Sequence, residues 1–447
     1  MMYRLLKIGT GYLLVLFALT QCIVIENQFS ALPPGEWRAV LQLEPNLITP
    51  NPKGEPLPEK LNLQFEEVSR GELPFNFEVI YDDNESFHIE IINGEERIRV
   101  DDITIGLDRS TAKDTLILDF PVYDSYIKAI YEEKIMEGKW VVNNRGTEYS
   151  IPFIATHGED YRFTQLKKEP MLDVSGKWEA TFDLESENPY KAIGEFQQEG
   201  NAVTGTFRTE TGDYRYLDGT IQDNKLYLSV FDGAHAFLFE AKILPDSTMI
   251  GSFRSGKHYR TTWEAKRNPD FELKDPNELT YLKEGYDRFE FSFENTAGEL
   301  VSLSDPQYQD KVVLVQIFGT WCPNCRDETI YLTDYLKKNP SEDLEVVALA
   351  FEKYREKEKA IAAIERFKEG FDIPYELLLA GYYNKSEAAE ALPMLNHVLS
   401  YPTMIFIDKS GAVRRIHTGF NGPATSKFDA FKEDFEGFVA ALLNEPT

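Results

Sequence analysis

The chain has 447 residues, too many for one compact domain, so we expect two or three domains with separate cores. Its 75 acidic residues against 47 basic ones give a formal net charge of −28, which repels nucleic acid and argues against a nucleic-acid-binding protein. Aromatic residues make up 13% of the sequence and there are 23 prolines, a composition typical of ordered, strand-rich structure and not of disorder.

The N-terminal segment resembles a targeting signal. Arg4 and Lys7 precede the 18 uncharged residues 8–25, which is the order of a secretion signal whose N-terminus stays inside the cell. The run Leu19-Thr20-Gln21-Cys22 resembles the lipobox of bacterial lipoproteins, which predicts lipidation of Cys22. An uncleaved membrane-spanning helix is the alternative. Both interpretations export the body of the protein and tether it to the membrane through residues 1–25.

The sequence from about residue 35 to 267 has the pattern of β-structure. Near-alternating strands flank Asn93-Gly94, the strongest kind of short hairpin signal. Further short strands follow at a spacing of roughly ten residues, separated by Gly, Asn or Asp turns. They are predicted at 202–207, 225–230 and 236–241. This pattern is typical of a meander, a sandwich or a barrel.

A short internal repeat, which we call the sequence echo, divides this all-β region into two related modules. Gly35-Glu36-Trp37-Arg38-Ala39 is matched by Gly176-Lys177-Trp178-Glu179-Ala180, and each run opens a strand-rich stretch. We therefore predict one β-rich module over 34–168 and a second over 172–268. Neither module shows a catalytic motif. A partner- or ligand-binding module, a dimerisation surface and a spacer above the membrane remain open as roles.

The last part of the chain changes pattern. A polar linker is predicted over 269–287, and from 288 to 447 strands and helices alternate before a final hairpin and helix. The predicted strands are 311–315, 344–350, 404–408 and 413–417, and the predicted helices run from the cysteines to about 338, over 356–370 and over 426–443. This order predicts an α/β domain of the thioredoxin-like class.

Cys322 and Cys325 are the only cysteines after Cys22. Two thiols in this spacing, between a strand and a helix, are typical of a redox dithiol. If Cys322 caps the helix, Pro323 takes the first helical position, and free backbone N–H groups favour the Cys322 thiolate as the nucleophile. Cys325 follows one turn later as the resolving thiol. A zinc site would need a second cysteine pair, and a structural disulfide this short would stabilise almost nothing.

Two segments carry a resemblance to a known family: 311–315 through Trp321-Cys322-Pro323-Asn324-Cys325-Arg326-Asp327-Glu328, and Tyr401-Pro402-Thr403 with the strand at 405–408. They resemble the TlpA/ResA-type family of membrane-tethered thiol–disulfide oxidoreductases, over about the last third of the chain. The resemblance implies a thioredoxin fold, an extracytoplasmic site and reduction of disulfides in partner proteins. It also implies no cofactor and a membrane electron donor of the DsbD/CcdA kind.

Three positions match residues of that family. Glu328 matches its acidic residue beside the cysteines, where a partly buried carboxylate would have a raised pKa and could shuttle a proton. Pro402 matches its cis-proline, which would turn the Tyr401 backbone toward the dithiol to pair with an extended substrate. Trp321 matches its tryptophan before the first cysteine, a candidate substrate platform. A solvated glutamate, a proline that opens a strand and a packed tryptophan are the alternatives.

Other residues limit which group can accept the proton and which classes of protein remain possible. Gln316 replaces the buried aspartate of thioredoxin, and because an amide cannot act as a base, proton transfer shifts to Glu328. Gly319 stands where a peroxiredoxin needs Thr or Ser, which excludes that class. The second hypothesis is a copper carrier that uses the two thiols with His397 as ligands. Our prediction is a membrane-anchored reductase of the cell envelope, facing the periplasm, that acts on disulfide-bearing extracytoplasmic proteins without a metal.

Overall fold

The computed structural model describes residues 32–43, 71–83, 86–146 and 149–446. The predicted anchor segment 1–25, with the lipidation candidate Cys22, lies outside these ranges. Among the residues that are described, no helix is both long and apolar enough to cross a membrane. The described strands form three sheets that follow one another along the chain.

The first sheet is an antiparallel meander of nine strands in up-and-down order. Its first strand pairs with its ninth, so the sheet curls toward a barrel that stays open between the fourth and fifth strands. The predicted turn at Asn93-Gly94 joins the third strand to the fourth. The strands are β1 (Gly35–Gln42), β2 (Glu72–Tyr81), β3 (Phe87–Asn93), β4 (Glu96–Val100), β5 (Ile103–Asp108), β6 (Lys113–Phe120), β7 (Ser125–Glu132), β8 (Ile135–Val142) and β9 (Ser150–His157).

The second sheet closes into an eight-stranded up-and-down barrel. Its first strand pairs with its last, and its second and third strands also pair with each other. A barrel of this size is just wide enough for side chains to fill, and aromatic rings fill this one: Trp178, Phe182, Phe207, Phe239, Phe253 and Trp263. The strands are β10 (Gly176–Phe182), β11 (Tyr190–Glu199), β12 (Ala202–Thr209), the short hairpin strand β13 (Gly212–Asp213), β14 (Leu217–Gln222), β15 (Lys225–Phe231), β16 (Ala236–Ile243), β17 (Met249–Ser255) and β18 (Tyr259–Arg267).

The two sheets begin with the same local structure, at the positions of the sequence echo. Gly35 and Gly176 both have a positive φ, of 99° and 105°. Trp37 and Trp178 are both fully buried, and each donates from Nε1 to the carbonyl oxygen four residues earlier, at 3.2 and 2.8 Å. Each opening strand pairs with the last strand of its own sheet. The echo thus corresponds to one local arrangement that occurs twice.

The two sheets nevertheless share part of a core. Phe231 of β15 stacks on Phe75 of β2 with ring centroids 4.4 Å apart, and it meets Trp140 of β8 edge-on at 5.1 Å. The carbonyl oxygen of Gly233 accepts hydrogen bonds from Ser125 and Trp140. Five buried residues of the second sheet and its loops belong to the first core: Tyr227, Phe231, Ala234, Ala236 and Leu238. We refer to the described residues up to 268 as the β unit.

The third sheet belongs to the α/β domain, as predicted. Its order is β20-β19-β23-β22-β21-β24-β25, with β21, β22 and β23 parallel and β24 and β25 antiparallel to their neighbours. The strands are β19 (Ser292–Asn295), β20 (Leu300–Ser302), β21 (Val312–Phe318), β22 (Leu344–Glu352), β23 (Glu376–Tyr382), β24 (Thr403–Ile407) and β25 (Val413–Thr418), and the helices are α1 (Pro276–Leu279), α2 (Pro323–Lys338), α3 (Lys357–Gly370), α4 (Lys385–Ala391) and α5 (Phe428–Asn444). Every residue of β21 is buried, as its continuous apolar run indicates.

The predicted linker at 269–287 is a linker only in its first half. Residues 268–275 contain no helix or strand. The short helix α1 instead packs beside β25, where Thr418 Oγ1 donates to Thr280 Oγ1 at 2.8 Å. The α/β domain therefore begins near residue 276, earlier than the predicted 288.

Replacing Phe231 by alanine should destabilise both β sheets, because the ring is fully buried in the core that they share. We expect the free energy of unfolding of the β unit to fall by about 3–5 kcal/mol. Urea denaturation followed by tryptophan fluorescence measures it, since both sheets contain buried tryptophans. Leu107→Ala is the matched control, because Leu107 on β5 is 59% exposed and its loss should cost less than about 0.5 kcal/mol. Destabilisation confined to the second sheet would contradict a shared core.

Candidate active site

The two cysteines lie at the start of α2, between the buried strand β21 and the helix. Cys322 is the N-cap residue, and Pro323 occupies the first helical position, as predicted. The backbone N–H of Cys325 donates to Cys322 Sγ at 3.2 Å, so the sulfur takes the place of the oxygen of a serine or aspartate cap. Both cysteines are free thiols. Cys322 thus occupies the helix-terminus position that suits a nucleophilic sulfur.

Cys325 lies in a different environment, one turn inside the helix. Its side chain is fully buried. Burial raises its pKa well above the ordinary value, and the neighbouring Cys322 sulfur and the Glu328 carboxyl add to this rise. Cys325 therefore keeps its proton until a base removes it, which is the behaviour that a resolving thiol requires.

The loop that contains Pro402 faces the dithiol. The Tyr401-Pro402 peptide bond is cis, and Cys322 Sγ donates to the carbonyl oxygen of Tyr401 at 3.2 Å. The backbone N–H of Gly419, just after β25, donates to the Pro402 carbonyl oxygen at 2.9 Å and fixes the loop to the sheet. The structure thus brings Tyr401 and Pro402 to the nucleophile, at the place where an extended substrate segment would pair.

Trp321 is held in one orientation beside this loop. Its Nε1 donates to the carbonyl oxygen of Phe351 at 3.0 Å. Its ring meets Tyr383 and Tyr401 edge-on, with centroids 5.5 and 5.6 Å away, and the Nζ atom of Lys353 lies 4.5 Å from the ring centroid. The ring is partly exposed next to Cys322. Its use as a substrate platform stays a prediction.

Glu328 is fully buried, deeper than the partial burial expected from the sequence. Gln316 donates from Nε2 to Glu328 Oε2 at 2.8 Å, while Glu328 Oε1 is buried without a hydrogen-bond partner among the described residues. Burial raises the pKa of Glu328 to about 8, and the bond from Gln316 offsets only part of this rise. A carboxyl group with this pKa both holds and releases a proton near neutral pH, as a proton shuttle for Cys325 must.

The sequence analysis did not single out Glu352 and Lys353, which lie where β22 ends. Thr320 donates from its backbone N and from Oγ1 to Glu352, at 3.0 and 2.8 Å, and so fixes the loop before the dithiol. Burial lowers the pKa of Lys353 to about 7, and Arg145 of the first sheet lowers it further, while Cys322 and Glu352 oppose the change. A charged pair at the end of a buried strand was the only sequence signal for these residues.

The β unit also reaches the site, which the sequence did not indicate. Asn324, between the cysteines, donates from Nδ2 to the carbonyl oxygen of Asp213 at 3.3 Å. Ser400 Oγ donates to the carbonyl oxygen of Thr211 at 2.8 Å. Cys322 is only 4% exposed. The β unit therefore contacts the α/β domain on both sides of the dithiol in this arrangement.

His397, the candidate copper ligand of the second hypothesis, is exposed, whereas both thiols are buried. Within the parts of the chain that the structure describes, no group of three or more His, Cys, Asp or Glu side chains is placed to hold a metal ion. The two thiols and His397 are therefore not assembled into a metal site there.

Comparison with known proteins identifies the α/β domain. A sequence profile described as the AhpC/TSA family matches residues 266–416. The thioredoxin-like protein YneN of Bacillus subtilis is 31% identical over 138 residues, which are 31% of this chain and 73% of that protein. The chain belongs to the TlpA/ResA-type family.

A second curated relative agrees with this family. The thiol-disulfide oxidoreductase ResA of Bacillus subtilis is 26% identical over 138 residues, 31% of this chain and 69% of its own length. A solved structure, a putative thiol:disulfide interchange protein DsbE from Chlorobium tepidum, covers 37% of this chain and 100% of its own, at 22% identity and a TM-score of 0.28. The TlpA/ResA-type domain makes the protein a thiol–disulfide oxidoreductase. Gly319 offers no hydroxyl before Cys322, so the AhpC/TSA match describes the domain and not a peroxide site.

Glu328→Gln should change how stability depends on pH. The folded protein keeps Glu328 protonated up to about pH 8, whereas the unfolded chain releases this proton near pH 4.5. Below pH 4.5 both states hold the proton, and above pH 8 neither does. Between these limits the folded state binds more protons, so this carboxyl costs up to about 1.4 kcal/mol of stability for each pH unit of increase.

The variant lacks this slope, so its unfolding free energy relative to the wild type should increase with pH across that range. Urea denaturation of the reduced protein at several pH values measures the difference. Glu342→Gln, an exposed change before β22, is the control and should keep the wild-type slope. Parallel pH profiles for wild type and Glu328→Gln would show that the folded protein does not hold this proton.

Proposed function

We propose that the protein is a membrane-anchored oxidoreductase of the cell envelope that reduces disulfides in partner proteins through Cys322 and Cys325. One observation carries the proposal. Cys322 caps α2 opposite the carbonyl oxygen of Tyr401, and Cys325 and Glu328 lie buried behind it. The arrangement separates an attacking sulfur from a protonated thiol that has a carboxyl group near it. Thiol–disulfide exchange needs these two kinds of sulfur.

The reaction proceeds in two exchanges. The Cys322 thiolate attacks one sulfur of the partner disulfide, so that a mixed disulfide forms, the partner S–S bond breaks and one partner thiolate leaves. Cys325 then gives its proton to ionised Glu328 and attacks Cys322 Sγ. The Cys322–Cys325 disulfide forms and the second partner thiolate leaves. The partner gains two electrons and the protein's dithiol is oxidised. The two partner thiolates take up protons from solvent, and the protons lost by Cys322 and, through Glu328, by Cys325 return to solvent.

The oxidised protein must regain two electrons before a second turnover. A membrane electron donor of the DsbD/CcdA kind fits this need, because the body of the protein would face the periplasm next to the membrane. Anchoring is assigned to residues 1–25, through lipidated Cys22 or an uncleaved helix. The order of basic and apolar residues in that segment supports the assignment.

Cys325→Ser should trap partner proteins on Cys322, because attack still occurs while resolution does not. We expect disulfide-linked complexes on non-reducing gels that dissociate when a reductant is added. Cys322→Ser is the matched control and should give no such complexes and no turnover, with an unchanged fold. Both variants keep Cys22, so any complex formed through that cysteine appears equally in both. Complexes on Cys322→Ser alone would reverse the two roles.

The equilibrium redox potential of the dithiol decides the direction of transfer. A reductase is expected to have a value near that of thioredoxin, ~ −270 mV, whereas a value near that of DsbA, ~ −120 mV, would make the protein an oxidant. Equilibration with thiol–disulfide buffers, read out by alkylation of free Cys322 and Cys325, measures the potential.

A further inference from the structure

A turn of the second sheet lies beside the dithiol. We call residues 209–213 the cap turn; they comprise the last residue of β12, the two turn residues after it and β13. Ser400 Oγ donates to the Thr211 carbonyl oxygen at 2.8 Å, and Asn324 Nδ2 donates to the Asp213 carbonyl oxygen at 3.3 Å. The backbone N–H of Gly422 donates to Asp213 Oδ2 at 2.7 Å. The cap turn is thus bonded to the residue before the cis-proline loop, to the residue between the cysteines and to the segment after β25.

Two glycines allow the cap turn and the α/β domain to approach each other closely. A Cβ atom on Gly212 would lie 1.8 Å from Asn324 Nδ2, and a Cβ atom on Gly419 would lie 2.9 Å from the carbonyl carbon of Thr211. Both distances are shorter than van der Waals contact. The backbone of the cap turn therefore fills the groove in which an extended substrate would pair with the Tyr401 loop.

The same arrangement keeps the nucleophile from large substrates. Cys322 is 4% exposed and Cys325 is 0% exposed. In thiol–disulfide exchange the attacking sulfur must reach a sulfur of the substrate, so its rate depends on access. The cap turn is bonded to Asn324 and Ser400, two residues that flank the Cys322 site, so it lies where a folded partner protein would approach.

A charge cluster directly after the cap turn stabilises the contact between the β unit and the α/β domain. The same cluster still allows the two to separate. Arg215 Nη1 donates to Asp327 Oδ2 at 2.6 Å, and the same guanidinium is also bonded to Glu96 and lies 3.6 Å from Asp232. If the α/β domain moves away, Arg215 keeps its two carboxylates in the β unit. Asp327 keeps Arg326, whose Nη1 lies 3.0 Å from Asp327 Oδ1. Opening therefore avoids the large cost of an unpaired buried charge.

The chain also provides a place to bend. Residues 268–275 contain no helix or strand. The ion pairs between this segment and the rest of the protein are partly exposed, such as that of Lys177 with Glu272 at 2.5 Å. Exposed ion pairs contribute little to stability. The contacts named above between the cap turn and the α/β domain are polar, as is usual for domains that separate and reclose.

We propose that the cap turn is a tethered competitor for the substrate groove. The dithiol reaches protein disulfides only when the α/β domain swings about residues 268–275 off the β unit, and an extended segment of the partner protein then takes the place of the cap turn. The nature of the substrate rests on the proposed function, whereas the occlusion of Cys322 does not.

The test compares how a small and a large reagent modify Cys322 in the reduced full-length protein. Iodoacetamide is the small reagent, a maleimide with a long polyethylene glycol chain is the large one, and peptide mapping assigns the label to Cys322. Gly212→Ala should raise the ratio of large-reagent to small-reagent rate by about tenfold, the factor that corresponds to about 1.4 kcal/mol. Asp327→Asn, which weakens the bond to Arg215 from the α/β domain, should raise the ratio in the same direction.

Each variant has a matched control. Gly200→Ala also places alanine at a positive φ in the second sheet, but nothing lies within 4 Å of the new Cβ atom. Asp334→Asn changes an exposed aspartate on α2. Both controls should keep the wild-type ratio. Should Gly212→Ala fail to fold, Asp327→Asn decides the matter. The proposal is overturned if the ratio stays at the wild-type value in the folded test variants.

Exchange with 2-hydroxyethyl disulfide separates this proposal from the proposed function. Rapid exchange in every variant with an unchanged labelling ratio would overturn the proposal that the cap turn competes with substrate. It would leave the oxidoreductase function intact. A raised labelling ratio without any exchange would support the competitor and remove the function. A raised ratio together with exchange, and faster reduction of a protein disulfide in Gly212→Ala than in Gly200→Ala, is the expected result.

Discussion

The buried guanidinium of Arg215 holds the three sheets in one arrangement. It is 2% exposed and contacts Glu96 of the first sheet, Asp232 of its own sheet and Asp327 of the α/β domain. Burial opposes its charge, but the carboxylates outweigh this effect and raise its pKa well above the ordinary value. A buried arginine without any carboxylate partner would be very unfavourable, and Glu96 and Asp232 meet this need within the β unit. The third bond, to Asp327 on α2, places the dithiol helix next to the β unit.

The chemistry of the site depends on a second buried interaction, between Gln316 and Glu328. An aspartate at position 316 would place a second carboxyl group near Glu328, and the pKa of one would rise further because like charges repel. The amide instead donates a bond and leaves one titrating carboxyl group behind Cys325. Cys322 Sγ accepts a hydrogen bond from the backbone at the start of α2, whereas burial keeps Cys325 protonated. One turn of helix thus separates a capping sulfur from a buried, protonated one.

The sequence predicted those features that depend on local signals. The Asn93-Gly94 hairpin, the apolar strand β21 and the cap at Cys322 each follow from a few adjacent residues, and the structure contains all three. The shared core could not be predicted in this way, because Phe231 resembles any strand aromatic until its partner sheet is known. A clue existed, since β15 contains no charged residue after Lys225 and therefore has no solvent face. For the cap turn the sequence predicts a turn but not its contact with the dithiol, because its partners lie more than a hundred residues away in the chain.

The shared core has a consequence for synthesis of the chain on the ribosome. Domains usually fold in order as they emerge, the N-terminal one first. The first sheet has all of its own strands by His157, yet five side chains of its core arrive only with the segment from Tyr227 to Leu238. Until then the rings of Phe75 and Trp140 lack the aromatic neighbour that covers them. A nascent chain that stops between these points exposes an unfinished apolar surface, which is the kind of surface that chaperones bind.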